Sequence, residues 1–244
     1  MANATFRIWR GDKTQGAFRD YPTEVSEGMV VLDAVHKVQA EQAGDLAVRW
    51  NCKAGKCGSC SAEINGKPRL MCMTRLDELP ANETVTVEPM RAFPHVRDLV
   101  TDVSWNYEVN KTIAPFTPPE GVPQEDWRWQ QQDIERVQEY RKCIECFLCQ
   151  DVCHVLRNHE TEKPFMGPRY LVRAAGLEMH PIDQVDRRGY LKDSGGIGYC
   201  NITKCCTEVC PEHIKITDNA IIPLKERVVD EYYDPLGGLF KIFK

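Results

Sequence analysis

The sequence predicts an α+β protein in two parts, a small sheet crossed by one helix and then a helical region. Three observations lead there: β-prone alternating runs in the N-terminal part, a proline-dense stretch after them, and apolar residues at helical spacing beyond it. The prediction divides the 244 residues into domains at 1–105 and 124–244, joined by a connector at 106–123. That division suits the usual span of roughly 100–200 residues per domain.

The elements follow in order. Thr5–Arg10 and Ala17–Val25 read as strands, with Gly11–Gly16 turning between them. Val31, Leu32, Val35 and Val38 recur at helical spacing, which predicts a helix over Met29–Gln42. Ser61–Ile64, Asn65-Gly66 and Arg69–Thr74 predict a hairpin, because Asn-Gly tolerates positive φ. Thr84–Glu88 is a last β-branched run. Ile113–Pro123 holds four prolines in eleven residues and reads as an extended connector. Helical patterns then cover Glu125–Lys142, Pro168–Glu178 and Ile216–Tyr232.

Composition excludes several classes. A hydrophobic fraction of 42% with 27% charged residues is that of a globular chain rather than a disordered one. A net charge of −5 argues against a nucleic-acid binder, which carries a basic surplus. The start, MANATFRIWRGDK, lacks the apolar core of a secretory signal, and no apolar run is long enough to span a membrane. The expectation is a reducing compartment, where cysteines bind metal or do redox chemistry more often than they form disulfides. The 12 cysteines are therefore read as ligands.

They fall into three groups. The first, Cys52, Cys57, Cys60 and Cys72, has the spacing C-x4-C-x2-C followed by a distant fourth Cys, which matches a plant-type [2Fe–2S] site. A loop around such a cluster turns its amides toward sulfur, and Gly55 and Gly58 permit that path. Zinc is the alternative, since Cys57 and Cys60 form a C-x2-C pair.

The second group, Cys143, Cys146, Cys149 and Cys153, is a C-x2-C-x2-C-x3-C run, the bacterial-ferredoxin spacing for a cubane. In two-cluster ferredoxins the fourth cysteine of each run serves the other cluster. The partner run ends at Cys210-Pro211, and reading backward in register gives Cys206, Thr203 and Cys200. One thiolate is thus replaced by a threonine. A cubane short of one corner is [3Fe–4S], which needs three cysteines: Cys153, Cys200 and Cys206. Cys210 then completes a [4Fe–4S] site with Cys143, Cys146 and Cys149. The competing reading makes Cys205 a fourth ligand and the third centre a second cubane. Cys205 lies two residues out of register, so its side chain is expected to point elsewhere.

These motifs in this order resemble the iron–sulfur subunit of succinate dehydrogenase and fumarate reductase over nearly the whole chain. Arg49-Trp50-Asn51-Cys52, Cys57-Gly58-Ser59-Cys60 and Gly66–Cys72 are similar to the family's first-cluster segment. Phe93-Pro94 with Arg97, Asp98, Leu99, Val100 and Asp102 resembles its entry to the second domain, and Phe165-Met166-Gly167-Pro168 a helix start between the two runs. The resemblance implies an N-terminal β-grasp plant-type ferredoxin domain and a C-terminal all-α bacterial-ferredoxin-like domain.

It also implies a partner flavoprotein carrying FAD and the dicarboxylate site, and a membrane anchor where quinone binds. The subunit would sit on the cytoplasmic face of the membrane and relay electrons from FAD to quinone through three clusters, with no general acid or base of its own. Ubiquinone-using relatives carry Trp and His where this chain has Asn158 and Asn201, and Pro where it has His154. Menaquinone, or a quinone held mainly by the anchor, fits better.

His154 and His213 read as packing or surface residues rather than ligands, with a hydrogen-bonding or proton-uptake role near quinone as the alternative for His154. Trp127 and Trp129 read as core or interface anchors. The basic-apolar Leu236–Lys244 could rest on a membrane or an anchor. The competing functions are a fumarate reductase running in reverse, an iron–sulfur subunit of a thiol-dependent fumarate reductase or heterodisulfide reductase, and a zinc-stabilised interaction module.

Overall fold

The computed structural model describes residues 2–80, 84–158 and 165–234. By contact the chain separates into two units. The first holds the residues up to Trp105 together with Ile144–Val152 and Val209–Pro211; the second holds Asn106–Cys143, Cys153–Glu208 and the residues from Glu212 on. The sequence pattern groups 124–244 as one helical domain and gives no sign of the two excursions at 144–152 and 209–211.

In the first unit β1 (Ala2–Gly11) and β2 (Gly16–Val25) form an antiparallel hairpin with Gly11 opposite Gly16. A helix, α1 (Val31–Glu41), follows, then the hairpin β3 (Ser61–Ile64) and β4 (Lys67–Leu70), then β5 (Val85–Glu88). The sheet order is β2-β1-β5-β3-β4, with β1 and β5 parallel at its centre. Phe6 and Ile8, two apart on β1, are fully buried beside Val87 of β5 and Ala62 of β3. Val31, Leu32, Val35 and Val38 of α1 complete this core, so the strand period of two meets the helical period of 3.6 on one face.

β4 stops at Leu70, short of the strand expected to Thr74. The reason lies at the start of α1, whose first amides need acceptors. Val31 donates to the Thr74 carbonyl at 2.9 Å and Leu32 to the Met71 carbonyl at 3.1 Å. The segment Met71–Thr74 leaves the ladder to cap the helix, and Cys72 is carried with it.

A two-stranded ribbon, β6 (His95–Arg97) with β7 (Val100–Thr101), was not legible in the sequence. Between its strands Asp98 has φ 47° and is buried. Its carboxylate accepts from the Gly11 amide at 3.0 Å, the Arg10 Nε at 3.0 Å and the Ala47 amide at 2.8 Å. The ribbon is thereby fastened to the end of β1.

The second unit is built around the helix Pro168–Glu178, which starts at its proline as the sequence predicts. Tyr170, Leu171, Val172, Ala174 and Ala175 are buried along it, near Ile216, Ala220, Ile221 and Leu224. The expected helix over Glu125–Lys142 is broken instead into a 3₁₀ turn (Gln124–Asp126), an α-helix (Gln131–Gln138) and a second 3₁₀ turn (Glu139–Lys142). Trp127 accounts for the break. Its Nε1 donates to the Val122 carbonyl at 3.1 Å and its ring lies 5.9 Å from that of Phe116. Trp129 is 39% exposed, with its ring 5.9 Å from that of His180.

Ile216–Tyr232 likewise divides, into a wide π turn (Ile216–Ile221) and an α-helix (Ile222–Tyr232). Pro223 has no amide to offer the Asn219 carbonyl, and the Tyr140 hydroxyl donates to that carbonyl instead. The proline-rich connector is tied down by Arg187, which is 1% exposed. Arg187 donates to the carbonyls of Ala114, Pro115 and Val185 and pairs with buried Asp183 at 2.8 Å.

Candidate metal centres

The first four cysteines lie on the loop before β3 and the turn after β4, all in the first unit. Cys52 is exposed, Cys57 half-buried, and Cys60 and Cys72 are buried. The loop turns its amides onto sulfur: Ala54 and Lys56 each donate to Cys52 Sγ at 3.4 Å, and Cys52 donates to Cys57 Sγ at 3.5 Å. Such bonds stabilise a thiolate. Burial pushes the Cys57 thiol up, but bonds from the Cys52 amide and from Ser59 outweigh it and bring it down to about 6. Burial pushes the Cys60 thiol up to about 12. The donor set and its inward amides fit an iron–sulfur cluster.

The loop path needs its glycines, with Gly55 at φ 67° and Gly58 at φ 68°. At Gly58 there is a second reason. A Cβ there would lie 2.5 Å from the Cys146 Cα, and Ser61 Oγ donates to the Cys146 carbonyl at 2.8 Å. The glycine read as an approach to a cluster is also the seat of the segment Ile144–Val152.

Of the cysteines expected at the second centre, Cys146 and Cys149 are buried in that segment, Cys210 is half-buried in the first unit, and half-buried Cys143 belongs to the second unit. Glu145 and Phe147, which flank Cys146, have φ 55° and 61°. A four-residue helical turn, Leu148–Asp151, follows. In the third run Ile202 and Lys204, which flank Thr203, have φ 61° and 64°, and the turn Cys205–Glu208 follows. The two backbones therefore run in register. Thr203 stands where Cys146 stands, Cys206 where Cys149 stands, and Cys205 where Leu148 stands. Left-handed φ at four non-glycine residues costs energy, about 1–3 kcal/mol each, so the surrounding fold has to hold both runs in this shape.

In the second unit Cys153, Cys200 and Cys206 line one small pocket with Phe165, Ile202 and Ile221. Burial raises the Cys153 thiol and pushes that of Cys206 up to about 11. Three thiols on an apolar pocket fit a cluster held by three cysteines. Cys205 differs from expectation. It lines the same pocket, with Sγ 3.3 Å from Thr203 Oγ1, because it opens the helical turn that carries Cys206. His154 also lines the pocket, and its Nε2 is buried without a hydrogen-bond partner among the described residues, while His213 is exposed. Asn158 and Asn201 are exposed. Two residues that sequence reasoning missed are Thr207 and Thr217; their hydroxyls are 3.0 Å apart, and that of Thr217 lies 3.6 Å from Cys206 Sγ. Nothing in the spacing of the cysteines could have found them.

Among the described residues no group of three or more His, Cys, Asp or Glu side chains closes on a position for a single metal ion. A multi-iron cluster does not require that convergence, because its thiolates are spread over two or more irons that are bridged by sulfide.

Residues 5–108 match the 2Fe-2S iron-sulfur cluster binding domain family, and residues 139–214 match the 4Fe-4S dicluster domain family. A fumarate reductase iron-sulfur subunit of Mycobacterium tuberculosis is 32% identical over 203 residues, which cover 81% of this chain and 80% of the relative. The chain belongs to the family of succinate dehydrogenase and fumarate reductase iron–sulfur subunits. A succinate dehydrogenase iron-sulfur subunit of Bacillus subtilis is 29% identical, over 74% of this chain and 71% of that one. A chain of the solved Mycobacterium smegmatis Sdh1 complex in the apo form is 63% identical with a TM-score of 0.93, covering 96% of this chain and 98% of that chain. The chain spans under half the length of two methanogen iron–sulfur proteins that it also matches, 43% and 45%.

Membership settles the broad class: an oxidoreductase subunit with a 2Fe–2S ferredoxin domain followed by a 4Fe–4S one. No helix among the described residues is long and apolar enough to cross a membrane. Leu236–Lys244, read as a surface-seeking tail, lies outside the described residues.

Proposed function

We propose that this subunit of a membrane-bound succinate dehydrogenase relays electrons from a flavoprotein's FAD to quinone. Cys52, Cys57, Cys60 and Cys72 hold [2Fe–2S]. Cys143, Cys146, Cys149 and Cys210 hold [4Fe–4S], and Cys153, Cys200 and Cys206 hold [3Fe–4S]. When bound, these clusters accept and release single electrons at potentials tuned by charge, burial and hydrogen bonds to sulfur. The residues of the chain supply the thiolates, aim amides at Cys52 and Cys57, and keep water from Cys60, Cys153 and Cys206 by burial.

The observation that carries this reading is the common left-handed register of the second and third runs, which leaves Thr203 in the place of a thiolate. Iron analysis with EPR tests it. About nine Fe per chain and the EPR signal of a [3Fe–4S] centre in the oxidised protein are expected. About ten Fe without that signal sinks the Thr203 argument.

The flavoprotein and anchor are the partners that family membership supports, and an anchor would hold the chain on the cytoplasmic face of the membrane. Asparagines at 158 and 201, in place of the Trp and His of ubiquinone-using relatives, favour menaquinone. The mycobacterial relative named as a fumarate reductase subunit favours a second reading, in which the same chain carries electrons toward fumarate. Assays of the purified complex in both directions, with ubiquinone and menaquinone analogues, separate these readings.

A further inference from the structure

We propose that Thr217 donates a hydrogen bond to the Cys206 sulfur, raising the reduction potential of the centre that Cys206 holds, and that Thr207 fixes the direction of that bond. This rests on the reading of Cys153, Cys200 and Cys206 as ligands of one centre. Thr207 Oγ1 accepts the Thr217 backbone N–H at 3.0 Å and donates its own proton to Thr217 Oγ1 at 3.0 Å. A hydroxyl has one proton to give. Thr217 Oγ1, having accepted from Thr207, directs its proton to its other neighbour, Cys206 Sγ, at 3.6 Å.

An iron-bound thiolate carries no proton and can only accept, so the direction of this bond is settled once the metal is in place. Thr217 is 1% exposed, which removes competition from water. Its place in the π turn Ile216–Ile221 sets it beside the turn Cys205–Glu208, where Thr207 follows the ligand directly.

The consequence for redox chemistry has a definite sign. A reduced centre has one more negative charge, spread in part over its sulfurs, and a more negative sulfur is the better acceptor. The bond is stronger in the reduced state, so it favours reduction. Its loss makes the centre harder to reduce. A tenfold change in the one-electron equilibrium constant is a reasonable scale, and corresponds to about 59 mV.

The test is an EPR-monitored redox titration of the assembled complex. With Thr217→Val, which keeps the shape and removes the donor, the midpoint of the [3Fe–4S] signal should fall by about 59 mV. Thr217→Ser should restore it. Thr207→Val leaves the Thr217 hydroxyl undirected and should lower the midpoint by less. The [2Fe–2S] midpoint should stay constant in all three variants. Proton ENDOR in H₂O and D₂O should show an exchangeable coupling that Thr217→Val removes. An unchanged midpoint in Thr217→Val with the centre intact overturns the proposal. If Thr217→Val fails to retain its centre, an unchanged midpoint in Thr207→Val overturns it. Absence of the signal from the unmodified complex overturns the ligand reading itself, and the proposal with it.

Discussion

Thr203 occupies the backbone position in its run that Cys146 occupies in the other, between two left-handed residues and just before a four-residue helical turn. The conformations match although the side chains at each flanking position differ completely, Ile202 against Glu145 and Lys204 against Phe147. β-branched Ile202 at φ 61° is a strained placement that only the surrounding fold maintains. The match makes the absent thiolate a substitution at a defined position rather than a shift of the motif.

Thr203→Cys should therefore restore the missing corner. Iron should rise from about nine to about ten per chain and the [3Fe–4S] EPR signal of the oxidised protein should disappear. Cys205→Ser should leave nine Fe and the signal in place, although Cys205 lines the pocket, and Cys206→Ser should lose the third centre. Loss of the third centre from Cys205→Ser would make Cys205 a ligand.

Gly58→Ala should destabilise the first unit by about 2–5 kcal/mol, from left-handed strain together with overlap on the Cys146 backbone. Gly66→Ala provides the comparison. It shares a positive φ of 72° but has nothing within 4 Å of the added carbon, so it should cost only roughly 1 kcal/mol. Denaturant unfolding of both variants measures the difference; equal costs would remove the close-approach argument.

Arg187→Met should cost about 3–5 kcal/mol, because it strands buried Asp183 and frees three carbonyls. The connector near Ala114 and Pro115 should then become the first site of limited proteolysis. Pairing it with Asp183→Leu should cost less than the sum of the single changes.

Burial raises the Glu178 carboxyl above its ordinary 4.5, against the pull of the Arg187 amide, which donates to Oε2 at 2.9 Å. A carboxyl with a raised folded pKa contributes its full stability only below the unfolded value. That contribution is lost as pH rises from 4.5 through the folded value. Glu178→Gln is neutral throughout, still accepts from Arg187, and should raise stability at pH 7 while flattening the slope above pH 4.5. Melting temperatures across pH 5 to 7 report it, and an unaltered slope would remove Glu178 from the account.

Much of the sheet was legible because β1, β2 and α1 follow strict local periods. The broken region at 124–142 was not, because its apolar spacing is helical while the Trp127 ring and indole N–H bond elsewhere. The end of β4 depends likewise on the amides of α1, 39 and 43 residues away in sequence.

By itself the sequence determined the two-part architecture, the three cysteine groups and the position of Thr203. These are matters of spacing, and cluster ligation is written in intervals along the chain. The tertiary structure alone decided that Gly58 seats the Cys146 backbone, that Cys205 faces the pocket, and that Thr207 and Thr217 align a proton on Cys206. Each of these is a contact between groups that no local period relates, brought together because burial of the core fixes where separate loops and turns pack.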